Sequence, residues 1–219
     1  MNGRSRIMIV VLGAVTAATT GGCASTGDRP SSVPFQPGEL RSVPDPVTLL
    51  TADLRQDMRL DEDRRSGCQN SGFHARSAVT MWVCTLRPPQ GRKVTLPKGE
   101  ADPSARGAML RIQLEVHHPK GGRTATALAA AGFADDKRLF GPAARPLRAG
   151  DEGFISPDEP GEGEAVTALV RARNVVFSIS AALYPALRRP TLAELERLSA
   201  RVATEMGRSL KELQAERHG

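Results

Sequence analysis

The most regular pattern in the chain lies near its C-terminus, where Leu192, Leu195, Leu198, Val202, Met206, Leu210 and Leu213 recur at spacings of three and four. That period places one apolar stripe along a helix and predicts packing on a sheet, or a partner-binding coiled coil. Thr191 followed three residues later by Glu194 is a capping box that sets the helix start. A period of two runs from Ala108 to His117, with Leu110, Ile112, Leu114 and Val116 alternating with Arg111, Gln113, Glu115 and His117. Such a strand has one face in a core and the other in water. Val79 to Leu86 is rich in strand formers, and residues 164 to 182 read as a hairpin turning at Arg173-Asn174. Pairing Ala172 with Val175 sets Val170 opposite Phe177 and Ala168 opposite Ile179, so both strands turn their apolar sets to one face.

Two further helices are expected. Asp45-Pro46 is a cap followed by a first-turn proline, and Val47, Leu50, Leu54 and Met58 then continue at helical spacing to about Arg59. Residues 124 to 137 hold strong helix formers with Leu128, Ala129, Gly132 and Phe133 on one side. The proline- and glycine-rich stretch from Arg87 to Gly107 reads as a loop, or as a hairpin connection around Arg92 to Leu96. The elements together predict an α+β fold: an antiparallel sheet with one face covered by helices, including a long C-terminal amphipathic helix.

The N-terminus has a different composition. Arg4 and Arg6 precede an uncharged run of 12 residues from Ile7 to Ala18, and the small residues Thr19 to Gly22 lead to Cys23. This is the three-part layout of a secretory signal, and the run is short of the roughly 20 residues that a spanning helix needs. Thr20-Gly21-Gly22-Cys23 resembles the bacterial lipobox. The resemblance implies a mature lipoprotein beginning at Cys23, with a diacylglycerol-type lipid on its sulfur; the alternative is cleavage elsewhere and a free Cys23. Residues 24 to 46 contain Pro30, Pro34, Pro37, Pro44 and Pro46 and read as a tether. The expected division is therefore a signal at 1–22, an acylated tether at 23–46 and a single globular domain at 47–217.

The cysteine count agrees with that compartment. Of three cysteines, lipid on Cys23 leaves Cys68 and Cys84 as an even pair, and a disulfide between them would pin the loop-like stretch 65–72 onto a strand. The net charge is +6, and loss of the two signal arginines leaves +4. Near an anionic membrane surface this supplements the anchor by about 1 kcal/mol per nearby base. The bases are interspersed with acids and the eight aromatics are scattered, so nucleic acid is not an expected partner.

The lipobox, the Pro/Ser tether, the Cys pair, the VRARNVVFSISA hairpin and the closing Leu/Ala helix together resemble small secreted lipoproteins of actinobacteria. They are also similar in outline to the extracellular sensor-like domains attached to some actinobacterial kinases. The resemblance implies localisation at the extracytoplasmic face of the cell membrane and a small α+β domain.

Little in the chain points to chemistry. The mature sequence has no G-x-S-x-G, S-x-x-K, H-E-x-x-H, Walker A or G-x-G-x-x-G pattern. His117 and His118 are neighbours on a strand and point to opposite faces, which is poor geometry for one ion. Asp151 to Glu164 holds six acids and no bases, and reads as a solvated acidic loop rather than a calcium site. The polar row Arg111, Gln113, Glu115 and His117 is a candidate binding face. The resulting expectation is a monomeric, non-catalytic binding or sensor-like module without metal or cofactor, recognising a protein or small ligand. A cryptic envelope enzyme, or a purely structural envelope protein, is the alternative. If Cys23 carries the anchor, Cys23→Ala releases the protein from the membrane fraction; unchanged retention with the signal uncleaved makes the apolar run the anchor instead.

Overall fold

The alternating strand predicted at Ala108–His117 lies inside a seven-stranded antiparallel sheet among the described residues, beside its middle strand. The computed structural model describes residues 33–57, 67–86, 108–140, 142–157, 165–183 and 191–216. The signal segment, Cys23, the first part of the tether, the expected Arg92–Leu96 hairpin and the acidic stretch beyond residue 157 lie outside the described residues, as do Met58 and His218. The strands are β1 (Gly67–His74), β2 (Val79–Leu86), β3 (Ala108–His117), β4 (Arg145–Pro146), β5 (Glu152–Pro157), β6 (Ala165–Ala172) and β7 (Val175–Leu183). Their spatial order is β1-β2-β3-β7-β6-β5-β4. The helices are α1 (Ala52–Asp57), α2 (Ala125–Leu139) and α3 (Leu192–Glu216).

The α+β class and the long C-terminal helix are as expected. In α3, Thr191 and Glu194 bond reciprocally: the Thr191 N–H donates to Glu194 Oε2 at 2.7 Å, and the Glu194 N–H donates to Thr191 Oγ1 at 3.2 Å. Its stripe buries Leu195, Leu198, Val202, Met206 and Leu210 against the sheet face formed by Leu110, Ile112, Leu114, Val170, Phe177 and Ile179. Two polar side chains lie in this contact, and each finds a carbonyl: Ser199 donates to Val166 O and Gln214 to Ala172 O, both at 3.0 Å. The hairpin register is the expected one, with Ala172 paired to Val175, Val170 to Phe177 and Ala168 to Ile179.

The other sheet face is not bare. Helix α2 lies across it, burying Ala129 and Phe133 on Phe154, Leu169 and Val176. These strand positions alternate with the α3-facing ones, so β6 and β7 are apolar on both sides. The runs Ala168-Leu169-Val170 and Val175-Val176-Phe177 are the continuous apolar stretches that two-sided burial requires.

Three local expectations need correcting. The stretch 67–72, read as a loop, belongs to edge strand β1, and Cys68 pairs directly with Cys84 across the ladder. The two form a disulfide with Cα atoms 4.0 Å apart. It joins two strands rather than a loop and a strand, and a closed loop of this length is worth about 3 kcal/mol. The first amphipathic helix is divided into a 3-10 turn, Pro46–Leu49, and α1, because Leu50 is extended and the Thr51 hydroxyl caps the new start by accepting from the Leu54 N–H. Asp45 caps the 3-10 turn as expected, accepting from Val47 N at 2.9 Å.

The third correction concerns the tether. Its portion from residue 33 onward is packed onto the domain, with Leu40 1% exposed in the core. Asn174 Oδ1 accepts from Leu40 N at 2.9 Å and Asn174 Nδ2 donates to Leu40 O at 2.8 Å. Glu39 Oε1 accepts from both the N–H and the hydroxyl of Thr126 in the first turn of α2. The domain therefore includes this strap. A chain beginning at Asp45 should melt well below one beginning at Val33, and Leu40→Ala alone should cost about 2–5 kcal/mol in denaturant unfolding; equal stability of the two chains would return the strap to the tether.

Candidate functional site

The expected binding face and a cleft at the β4–β5 side of the domain are different places. In β3, Arg111 is exposed, and Gln113 donates to Glu115 Oε1 at 2.6 Å. His117 is only 7% exposed. It lies beneath α2, where a Cβ added to Gly132 would stand 3.3 Å from its ring. Of the row expected to face water, one end is thus roofed by a helix. The small residues Ala125, Ala129 and Gly132 on the contact side of α2 allow that close approach.

Burial governs the electrostatics here. Desolvation, with His118 adding a smaller contribution, lowers the His117 pKa from 6.5 to about 4. Desolvation also raises Glu115, opposed by its hydrogen bond from Gln113, and raises Asp136 on α2. Glu115 Oε2 is 3.9 Å from His117 Nε2, and that nitrogen has no hydrogen-bond partner among the described residues. The contact joins an anion to a neutral ring and is not an ion pair. His118 points to the opposite face, as the strand geometry requires, and its Nε2 lies 2.8 Å from Thr80 Oγ1.

The concavity, about 730 Å³, lies where α2 and α3 both reach the loop between β4 and β5. Phe133, Leu147 and Phe154 supply its apolar wall. Phe154 is held edge-on by Phe133 and Phe140, with ring centroids 5.5 and 4.7 Å away. Gly207 on α3 brings the helix directly against the loop: a Cβ there would meet Gly150 N at 2.8 Å. Gly150 itself has φ of +59°, and an added Cβ would strike the Arg171 carbonyl.

Charge around the cleft is unevenly matched. Asp151, at the head of the expected acidic loop, is 3.4 Å from Lys211 and accepts from Arg173 N at 2.6 Å. Glu152 bonds Arg171 at 2.6 Å. These two acids are paired with bases and belong to β5 and its approach, so that part of the stretch is not a solvated loop. Lys137, Arg148 and Arg208 also line the cleft with one further acid, Glu212, so four bases face three acids; among the described residues no ion pair engages those three bases. Lys137 Nζ stands 5.9 Å from the centre of the Phe154 ring. Sequence reading missed this site because its residues come from three separate segments, none carrying a motif.

Asp45, Cys68 and Cys84 bring potential metal-ligating atoms within 4.8 Å of one another, but both sulfurs are committed to the disulfide. No helix among the described residues is long and apolar enough to cross a membrane. No protein-family model matches the chain, and neither curated proteins nor solved structures include a significant match.

The buried imidazole makes stability depend on pH. His117 binds a proton at 6.5 when unfolded but only near 4 when folded, so its contribution is complete above 6.5 and is lost as pH falls toward 4. The loss is on the order of 3 kcal/mol. Glu115 acts in the opposite sense, since its raised pKa favours the folded state as it protonates. Denaturant titrations should therefore give His117→Gln a smaller loss between pH 6.5 and 4 than the unaltered protein; parallel losses would mean that His117 is not held neutral.

Proposed function

We propose that this chain is a lipoprotein anchored through Cys23 at the extracytoplasmic face of the cell membrane, and that its domain is a non-catalytic, sensor-like binding module. The observation that supports the reading best is the cleft. An aromatic wall beside three basic side chains that no ion pair engages among the described residues, with bases outnumbering acids in the lining, suits a small anionic ligand with an apolar part. The disulfide accords with an oxidising compartment. The shifted carboxylate and imidazole are also distributed in a way that favours binding over catalysis. Glu115 and His117 lie between β3 and α2, outside the residues that line the cleft, where burial is the largest cause of their shifts.

An anilinonaphthalene sulfonate dye combines an aromatic body with one anionic group and serves as a probe of this cleft. It should bind the folded protein saturably at one site, and Arg148→Glu with Arg208→Glu should weaken binding at least about tenfold, with unchanged melting, through loss and reversal of two charges. Saturable binding that ignores the double variant would move the ligand site elsewhere. Turnover of ester, peptide or glycosidic substrates that is abolished by those variants would replace the binding module by an enzyme.

A further inference from the structure

Three segments meet at one corner of the sheet: the start of the strap, the β1–β2 turn and the β3–α2 turn. His118 joins them, with its ring 5.4 Å from Phe35 and 5.0 Å from Phe73 and its N–H donating to Ala78 O at 2.7 Å. Lys120 reaches across to the β1–β2 turn and donates to Ala75 O at 2.7 Å and Arg76 O at 3.0 Å. Arg41 lies over Phe35 at 5.9 Å. The corner thus has a fixed shape, held by hydrogen bonds and ring contacts.

Its surface has a distinct composition. Phe73 is 58% exposed, which is a high exposure for a large apolar ring. Arg41, Arg76 and Arg123 are exposed on the same three segments, Arg123 donating to Ala127 O at 3.1 Å, and among the described residues no carboxylate pairs with any of them. Residues 71–78 and 118–124 contain no acid, and in 33–41 the one acid is Glu39. Glu39 is buried, with its oxygens occupied by Gln36 and Thr126. The corner therefore presents positive charge around an exposed aromatic ring.

The chain enters the domain here. Val33 is ten residues beyond Cys23, so the corner can lie no more than about 35 Å along the chain from the anchor. We propose that this corner is a docking surface for an anionic phospholipid bilayer, with Arg41, Arg76 and Arg123 facing the headgroup phosphates and Phe73 entering the interface. Basic residues near such a surface and aromatic rings at headgroup depth are the two features that peripheral membrane contact uses. The orientation rests on the Cys23 anchor, whereas the lipid preference belongs to the corner itself.

The test uses protein produced from the full chain, with acylation of Cys23 read separately by mass. A polarity-sensitive fluorophore on Ser77→Cys reports the β1–β2 turn in vesicles of phosphatidylcholine alone and of phosphatidylcholine with phosphatidylglycerol. A blue-shifted emission is expected only with phosphatidylglycerol, and it should be reversed by high salt. Each base near the surface is worth about fivefold in partition, so Arg76→Glu with Arg123→Glu should lower the docked fraction at least tenfold. Phe73→Ser should reduce the shift without touching the charges, and it carries the test if the charge-reversed protein melts early. Equal emission on the two lipids, or a shift that neither variant changes, overturns the docking surface. A Cys23 without acyl chains refutes the anchor instead, and the same comparison with vesicles added to that protein still decides the lipid preference.

Discussion

Asn174 is fully buried at the start of β7, and a carboxamide in that position must find partners inside the protein or cost folding energy. It finds three: the N–H and the carbonyl of Leu40, and the carbonyl of His117 at 3.1 Å. Its own carbonyl accepts from His117 N at 2.9 Å. One side chain thus ties the strap to the β6–β7 turn and to the end of β3. The preceding residue of the strap, Glu39, extends the tie to the first turn of α2. Removing the carboxamide would leave two strap groups unsatisfied at once, so the strap, the hairpin end and the placement of α2 depend on a common set of bonds.

The same turn shows how a locally unfavourable choice is held. Arg173 has φ of 50°, a conformation that glycine adopts more readily. Its N–H donates to Asp151 and its guanidinium to Pro37 O at 2.7 Å, so the turn is fastened to the β5 approach on one side and to the strap on the other. Position 174 is asparagine for the reach of its side chain. That separates two roles which a turn signature read from sequence merges.

What was legible in the chain were features carried by one element at a time. The α3 stripe, the capping box at Thr191, the alternation of β3 and the register of the last hairpin each need only a period and a cap, and each is observed. Strand β1, Gly67–His74, was illegible because its residues are almost all exposed and it is held by its neighbour and the disulfide, not by an apolar face of its own. The second sheet face was legible in principle, since Leu169 and Val176 interrupt the alternation of β6 and β7 with apolar residues. The strap and the cleft were not. Leu40 and Asn174 are 134 residues apart in the chain, and no local period links them.

The register also relates the cleft to the basic corner. His74 pairs with Val79, Val79 with His117, Val116 with Val175, Ala172 with Val175, and Glu152 with Arg171, so all of these residues lie at one end of the strands. The corner occupies that end at β1 and β2, and the cleft occupies it at β5, four strands from β2 in the sheet order. At about 4.8 Å between neighbouring strands, the two are separated by about 20 Å across the sheet. In the proposed orientation, a domain resting on the corner would hold its cleft on the membrane-proximal end. An anionic ligand with an apolar part would then have a route from the bilayer surface as well as from solution, and the bases at both places would contribute to the same attractive field.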